Sequence, residues 1–325
     1  MHFETIASEW LRLIRGKRSQ RGFSKRLGYS SNIAYRWESG ICFPTAQRAL
    51  RLAGLSGASG QNALRVFFGS TSMPAELEAA DLATRGGVAA LLRGVRGKTP
   101  LVELARRSGK SRFAIARWLS GATEPRLPEL LSMIEAATFR LLDFLDSFTQ
   151  VQRLPSVVDD FRALAAARNT AYDVPWSHAV LRALEIADYA ELGKHRRGWI
   201  AKRLRITRAE EERCLRALSE SRQVRLVDGL WRVEQTRTID TRADPSRARR
   251  LRAEWLKVAL SRLREGVTGS FGYNVMALSR ADLGKLKELH QAYFRSMQAL
   301  VAASKTSECV VLFNTQLFAL DDAPP

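Results

Sequence analysis

The apolar residues of the first 55 positions recur at the spacing of α-helices, and glycine, serine and proline interrupt them. A first helix is expected over residues 4–15, and Ser19 is placed to cap a second helix that Gly28 ends. Ser30 is placed to cap a third helix, which Gly40 ends. Residues 45–55 then form a closing helix. Two helices joined by a turn with glycine are typical of a helix-turn-helix motif.

The same pattern returns 81 positions later in the chain. Residues 26–44 and 107–125 align without a gap and share eight identities in nineteen positions. The identical pairs are Arg26/Arg107, Gly28/Gly109, Ser30/Ser111, Arg36/Arg117, Trp37/Trp118, Ser39/Ser120, Gly40/Gly121 and Pro44/Pro125. In the second copy the expected helices are Gly87–Arg96, one begun by Thr99 and Pro100, one capped by Ser111, and a longer one from Pro128 to about Phe148. The chain therefore contains a duplicated helical unit.

The remaining segments predict helices and a hairpin. Residues 56–73 are expected to be a glycine- and serine-rich linker around a short helix, and residues 155–195 are expected to be helical. Thr207 and Glu210 have the spacing of a capping box, and Asp228-Gly229 between two β-prone segments predicts a hairpin. This order is typical of a winged helix. The expected last elements are helices Ser246–Glu265 and Ser279–Ser304, with short strands near Phe271–Leu278 and Cys309–Leu320.

The formal net charge of +19 is concentrated in three segments. Counting Lys and Arg against Asp and Glu gives +7 for residues 1–55, +8 for 85–126 and +10 for 196–265, whereas the rest sum to −6. Two of these segments are the copies of the repeat. Clustered positive charge favours binding to a phosphate backbone.

In a helix-turn-helix, the start of the third helix reaches base edges in the major groove, where Asn can pair with adenine and Arg with guanine. The predicted base-reading residues are Ser31, Asn32, Tyr35 and Arg36 in the first copy, and Arg112, Phe113, Ala116 and Arg117 in the second. The predicted backbone contacts are Gln20, Arg21, Lys25, Arg26, Arg106, Arg107 and Lys110. The alternative is that these are ordinary solvated polar residues.

Residues 5–55 resemble the phage-repressor or Cro-like (XRE-type) helix-turn-helix family. The carrying residues are Ser19-Gln20, Ser24, Leu27-Gly28, Ser30, Glu38, Gly40 and Pro44. The resemblance implies that Gln20 contacts a phosphate, and that Glu38 is a structural acid paired with Arg12 or Arg15 of the first helix.

The second copy departs from this family pattern. Leu101 stands in place of the glutamine and Leu119 in place of the acid. This copy either contacts DNA, with less sequence reading, or serves as a structural duplicate. In the third motif, Arg222, Arg225 and Arg232 are placed to bring a wing to the DNA backbone, although a winged helix also serves as a packing or dimerisation module.

From about Trp176 onward the chain resembles a bacterial family of uncharacterised domains that follow helix-turn-helix segments in transcriptional regulators. The carrying residues are Trp199-Ile200-Ala201-Lys202-x-Leu204, Gly229-x-Trp231, Asp244-x-Ser246 and Asn314-x-Gln316-Leu317-Phe318-x-Leu320. The aromatic residues of this half either pack in the core or line an effector pocket; they are Trp176, Trp199, Trp231, Trp255 and Tyr293.

The residue types that catalysis needs are not grouped in this sequence. It has no phosphate-cradling glycine loop, nucleophile elbow or metal-ligand spacing, and its three cysteines are isolated. We therefore expect no catalytic residue, no metal, no cofactor and no enzyme activity. Because no run of about 18 apolar residues and no signal-peptide pattern is present, we expect a cytoplasmic, nucleoid-associated protein without membrane contact.

These observations predict a mainly α fold, with two tandem repressor-like helix-turn-helix domains and then a winged-helix-containing α+β C-terminal domain. The expected domains are residues 1–72, 73–153, 154–240 and 241–325. The predicted function is sequence-specific binding of double-stranded DNA in transcription regulation; the alternative is an adaptor protein with only non-specific nucleic-acid affinity. A homodimer contact and an effector or protein partner are assigned to the C-terminal half. The duplication suggests a pseudo-twofold pair that covers two unlike half-sites about one helical turn apart.

Overall fold

The computed structural model describes residues 1–55, 59–69, 73–234, 239–241, 244–304 and 306–321. Part of the predicted linker, residues 56–58 and 70–72, lies outside them. The chain divides into two compact units, Met1–Arg162 and Ala163–Pro325. The further division into four predicted domains stays a prediction. No helix among the described residues is long and apolar enough to cross a membrane.

The first unit is helical. Its elements are α1 Phe3–Arg15, α2 Gln20–Arg26, α3 Ile33–Glu38, α4 Ala46–Leu55, α5 Gly60–Phe68, α6 Ala75–Glu78, α7 Arg85–Arg96, α8 Leu101–Ser108, α9 Arg112–Leu119, α10 Leu127–Thr138, α11 Leu141–Phe148 and a 3-10 turn Val151–Arg153. Helix α12 Val158–Asp173 contains the division between the units.

The helices α1–α5 and α7–α11 form two equivalent runs. Under the offset of 81 residues, each helix of the second run begins within two residues of the start of its counterpart in the first run. The structural repeat is therefore longer than the sequence pattern indicates, because α5 and α11 belong to it. Helix α1 packs against α10, while its counterpart α7 packs against α4, and α5 packs against α11. Side chains from these helices fill the core; the fully buried ones include Trp10, Leu64, Phe67, Leu91, Leu92 and Phe144.

The predicted long helix from Pro128 to about Phe148 is wrong. Phe139 adopts a left-handed conformation with φ 52° and ends α10. The carboxylate of Glu135 accepts a hydrogen bond from the Leu141 N–H (3.0 Å), so that a new helix begins there. The apolar run continues across this break, and its pattern alone therefore gives no sign of the break.

The second unit combines helices with one hairpin. Its elements are α13 Ser177–Ala183, α14 Ala187–Ala190, α15 Trp199–Leu204, α16 Arg208–Glu220, β1 Val224–Val227, β2 Leu230–Val233, α17 Pro245–Arg264 and α18 Arg280–Ala303. Asp228 and Gly229 both have positive φ (50° and 78°), as a two-residue hairpin turn requires. The predicted hairpin with its turn at Asp228-Gly229 is thus confirmed. Thr207 caps α16 by accepting from the Glu210 N–H (3.1 Å), which confirms the cap of the predicted capping box. The Glu210 carboxylate lies instead beside Arg213 (3.4 Å).

A compact core holds α13–α16 against the hairpin. Its buried members include Val180, Ile186, Tyr189, Ile200, Cys214, Leu218, Val224 and Leu230. The strands predicted near Phe271–Leu278 and Cys309–Leu320 are wrong: both segments lack regular secondary structure, and β1 and β2 are the strands of the described residues. Their alternating apolar residues have no strand to pair with, and a β-prone sequence forms a strand only where a neighbour accepts its hydrogen bonds.

Candidate nucleic-acid interface

The start of α3 and the residues before it form an exposed segment, residues 31–36, which we call the first tip. Asn32, and not the predicted Ser30, caps α3, because its Oδ1 accepts from the Tyr35 N–H (3.3 Å). The Ser24 hydroxyl, which donates to the Gln20 carbonyl (2.7 Å), lies 3.3 Å from the same Oδ1. The Ser24 hydroxyl, which is buried, also accepts from the Ala34 N–H (3.1 Å). The contacts of Ser24 fix α3 against α2.

The cap limits what Asn32 can do at a base edge. A bidentate pair with adenine needs both the carboxamide oxygen and the amide nitrogen. Because the oxygen accepts from the Tyr35 N–H and lies against the Ser24 hydroxyl, it is occupied within the turn, and the amide NH₂ is the group that remains to contact a base in this conformation. The other predicted base-reading residues of the first tip, Ser31, Tyr35 and Arg36, are exposed.

A buried acid connects α1, α2 and α3. The Glu38 carboxylate accepts from the Arg15 guanidinium (2.5 and 3.1 Å) and from the Gln20 amide (2.9 Å), and Arg12 lies 3.7 Å away. The predicted pairing of Glu38 with Arg12 or Arg15 is confirmed. The amide of Gln20 also has a structural role, since one of its N–H groups points at Glu38.

The ionisation of Glu38 is favoured despite burial. Burial, the largest single influence, raises its pKa, but the hydrogen bonds from Arg15 and Gln20 and the nearby guanidinium charges together lower the pKa below 4.5. The ionised carboxylate therefore stabilises the folded state at pH values above the pKa that Glu38 has in the unfolded chain.

We expect Glu38→Gln to lower the free energy of unfolding at neutral pH by about 1.5–3 kcal/mol, because it weakens charge-assisted hydrogen bonds. Since the folded-state pKa is depressed, the difference from wild type should shrink as the pH falls below about 4.5 and should be absent once Glu38 is protonated in both states. Chemical unfolding followed by circular dichroism between pH 3 and 7 measures it. Glu4→Gln, an exposed change on α1, is the control, and a pH-independent difference would contradict this role.

Three cations beside the first tip are free of carboxylates. Arg21, Lys25 and Arg26 are exposed, and they form no ion pair in the part of the chain that the structure describes. Ser19 caps α2 by accepting from the Gly22 N–H (3.1 Å), which confirms the predicted start of this helix. The three charges therefore lie on the exposed side of α2 without an acidic partner among the described residues.

The second tip, residues 112–117, lies at the start of α9. Ser111 caps this helix by accepting from the Ala114 N–H (3.1 Å), as predicted. Arg112 and Arg117 are exposed, Ala116 is half-buried, and the Phe113 side chain is 71% exposed. The Arg117 guanidinium lies over the Phe113 ring, 5.6 Å from its centroid.

The cations near the second tip are already partly neutralised. Arg106 and Arg107 both pair with Glu103, and Lys110 lies 3.5 Å from Glu129. The hydrogen bonds from Arg106 and Arg107 lower the pKa of Glu103 to about 2. Arg107 also donates to the Ala136 carbonyl (3.2 Å), which gives it a structural role. The two copies thus differ in the charge they offer to phosphate.

The two copies meet through equivalent residues. Thr45 and Arg126, which occupy the same position of the repeat, form an antiparallel bridge. The Ala46 N–H donates to the Pro125 carbonyl (2.9 Å), and the Leu127 N–H donates to the Pro44 carbonyl (3.0 Å). Each hydrogen bond is the counterpart of the other under the offset of 81. Such an exchange is characteristic of an isologous interface, so the copies form an internal pseudo-twofold pair.

The hairpin of the second unit carries the predicted wing residues. Arg225 and Arg232 lie opposite each other on β1 and β2, and both are exposed. Arg225 pairs with Glu234 (2.5 Å), whereas Arg232 and the exposed Arg222 have no acidic partner among the described residues.

A buried acid, Glu211, fixes the start of α15, because its carboxylate accepts hydrogen bonds from the N–H groups of residues 198 and 201.

Two of the predicted aromatic residues line a cleft of about 610 Å³ in the second unit. Trp176 and Trp255 meet edge to face there, with ring centroids 5.3 Å apart. Trp176 also packs against the core between α13–α16 and the hairpin, as Trp199 and Trp231 do, and Tyr293 is exposed. The open cleft is bordered by charges of both signs, from Asp173, Arg205, Glu210, Arg213 and Glu254.

Comparison with known proteins covers only the C-terminal half. Residues 160–320 match a family described as a domain of unknown function, DUF4423. No curated protein and no solved structure matches the chain significantly. The match falls where the sequence resembles an uncharacterised domain family, and its description assigns no activity. The phage-repressor resemblance of the N-terminal half has no family match and stays a prediction.

Proposed function

We propose that the chain is a sequence-specific regulator of transcription that binds double-stranded DNA. In this proposal the pairs α2–α3 and α8–α9 are two helix-turn-helix units, and their tips enter the major groove. The observation that carries the proposal is that both tips are exposed on a duplicated scaffold, with one exposed arginine in the first tip and two in the second. A duplex is the polyanion that fits such paired, projecting, basic surfaces.

The residues divide by the part of the duplex they would contact. Arg21, Lys25 and Arg26 would hold the backbone, because they are exposed and lack acidic partners in the described part of the chain. Tyr35 and Arg36 would reach base edges, since they project from α3 while Ala34 and Trp37 are buried beneath it. Backbone contacts position a protein and base contacts specify the sequence.

The reciprocal hydrogen bonds between Pro44–Ala46 and Pro125–Leu127 support a further element of the proposal. A regulator that binds as a homodimer presents two identical reading helices to a palindromic site. Here one chain carries both helices, and their sequences differ. A single chain would therefore cover two unlike half-sites, about one helical turn or 10–10.5 base pairs apart.

In the second unit we propose that α15, α16 and the β1–β2 hairpin form a winged helix. The order of elements and the tight two-residue turn support this assignment. Arg222 and Arg232 would be the wing residues that contact a DNA backbone, because Arg225 is already paired with Glu234.

Selection of bound sequences from a random pool of duplexes tests the proposed function. The expected result is an enriched site with two unlike elements about one helical turn apart. The selected duplex should stay bound in the presence of excess non-specific DNA. If no sequence is enriched and competition removes all binding, the chain has only non-specific affinity, as an adaptor protein would, and the proposal fails.

Arg36→Ala should weaken binding to the selected site by about 1–3 kcal/mol and should flatten the sequence preference at the position that Arg36 reads. Arg21→Ala is the matched control, because loss of a backbone cation should weaken binding to all sequences about equally. Fluorescence anisotropy with the selected duplex and its single-base variants measures both effects. An unchanged preference after Arg36→Ala would remove α3 from the reading role.

A further inference from the structure

The inference concerns Phe113, the most exposed large apolar side chain among the described residues of the first unit (71%). It rests on the proposed function. Phe113 is the second residue of α9, and its equivalent in the first copy is Asn32, the residue that caps α3. A phenylalanine cannot cap a helix, so Ser111 takes that role and α9 begins two residues earlier in the repeat than α3. The earlier start includes the phenylalanine in the first turn of the helix.

Phe113 has a defined chemical surrounding. The Arg117 guanidinium lies over its ring, 5.6 Å from the centroid, and Arg112 precedes it. Arg112, Phe113 and Arg117 are all exposed. The second tip therefore presents an apolar ring next to a forked hydrogen-bond donor, within one turn of helix.

This pairing has a counterpart in the major groove. Thymine carries a methyl group at C5, which apolar side chains such as Phe contact, and guanine offers O6 and N7 as a bidentate acceptor for Arg. A 5-methylpyrimidine next to guanine presents both groups on stacked neighbouring bases. Charge also favours DNA over a protein partner here, since the ring is flanked by two arginines and the described residues of the tip include no acid.

We propose that the second half-site is recognised through a 5-methylpyrimidine–guanine step, with Phe113 on the methyl group and Arg117 on the guanine. The second copy thereby reads DNA through a methyl group, whereas the first copy reads it through the polar residues Tyr35 and Arg36. Phe113 is a specificity-determining residue in this assignment, and the two half-sites differ in chemistry as well as in sequence.

The experiment replaces each thymine of the selected duplex, one at a time, with deoxyuridine, which lacks only the methyl group. With the wild-type full chain, one position in the second half-site should lose about fourfold in affinity, the amount expected for one buried methyl group. With Phe113→Ala, the thymine and uracil duplexes should bind equally well. When 5-methylcytosine, paired with guanine, is placed at that position, the methyl group should again be contacted by the wild-type chain. The Phe113→Ala chain should gain nothing from this methyl group.

Arg112→Ala is the matched control, because it changes the neighbouring side chain and should keep the preference for the methylated base. Phe113→Leu should retain part of the preference, since leucine can still contact a methyl group. If the wild-type chain binds its selected site but no uracil substitution in the second half-site changes the affinity, the inference is overturned while the proposed function stands. If the chain selects no site at all, the proposed function itself has failed.

Discussion

Raising the salt concentration from 50 to 200 mM should weaken the binding of the full chain to its selected duplex by about 10³-fold, if the six predicted backbone cations all contact phosphates. If only Arg21, Lys25 and Arg26 make contacts, the same change should cost about 40-fold. These magnitudes follow from the release of counterions, which depends on the number of neutralised phosphates. Anisotropy titrations across this range measure the slope of the logarithm of affinity against the logarithm of salt concentration.

Two double variants separate the contributions of the copies. Replacing Arg21 and Lys25 with alanine should reduce the magnitude of the slope by about 1.8. Replacing Arg106 and Lys110 should have the same effect if these two cations also contact phosphates. The ion pairs with Glu103 and Glu129 already hold the second pair of cations. An unchanged slope in the Arg106/Lys110 variant would show that neither of these two cations contacts a phosphate when the wild-type chain binds.

Trp37→Ala should lower the free energy of unfolding by about 3–5 kcal/mol, the usual cost of truncating a large buried side chain. Trp37 lies on the buried face of α3 and is 2% exposed. Its ring contacts Tyr29 edge to face, with centroids 6.0 Å apart, and its backbone carbonyl accepts a hydrogen bond from the buried Ser8 hydroxyl (3.0 Å). Trp118→Ala at the equivalent position should have a similar effect, because Trp118 is 7% exposed. Such a loss is a large fraction of the stability of a typical domain.

Tyr35→Ala is the matched control on the same helix. Its side chain is half exposed and should contribute within about 0.5 kcal/mol to stability, yet its loss should weaken DNA binding. Because the chain has two compact units, a single transition does not describe its unfolding. Hydrogen exchange of peptides from α1–α3 therefore provides the local measurement. If the amides of these peptides were as protected from exchange in Trp37→Ala as in the wild type, the packing of α3 described above would be contradicted.

The sequence predicts most of the elements that local chemistry determines. Ser19, Ser111 and Thr207 cap helices as expected, and Asp228-Gly229 forms the hairpin turn. In these cases a short capping side chain or a turn with positive φ determines the structure of three or four neighbouring residues. The residues that decide the structure are therefore adjacent in the sequence.

The errors arise where two nearby groups compete for the same role or where a distant partner is needed. Ser30 and Ser111 occupy the same position of the repeat, but only Ser111 caps a helix, because Asn32 offers a competing oxygen two residues later. The break between α10 and α11 depends on Phe139 and on the Glu135 carboxylate inside a continuous apolar run. The alternating patterns near residues 271–278 and 309–320 predict strands, but a strand also needs a partner, which a local pattern does not specify.

The candidate interface was partly predictable for the same reason. The exposure of Tyr35, Arg36 and Arg112 follows from the helical spacing of the buried residues next to them. The engagement of Gln20 with Glu38, and of Arg107 with Glu103 and the Ala136 carbonyl, depends on tertiary contacts. The reciprocal hydrogen bonds between the copies also required the folded chain, although the duplication itself was evident.

Cleavage of DNA by a reagent tethered to each tip tests the central claim most directly. In a chain whose exposed or half-buried cysteines, Cys42 and Cys309, are replaced by serine, a cysteine is introduced at one of two equivalent positions of the repeat, as Ser31→Cys or as Arg112→Cys. This cysteine carries an iron chelate that cuts nearby DNA. The account predicts one local group of cuts for each variant, with the two groups about 10–10.5 base pairs apart on the selected duplex. Cuts spread evenly along the duplex, or none above background from either tip, would contradict it.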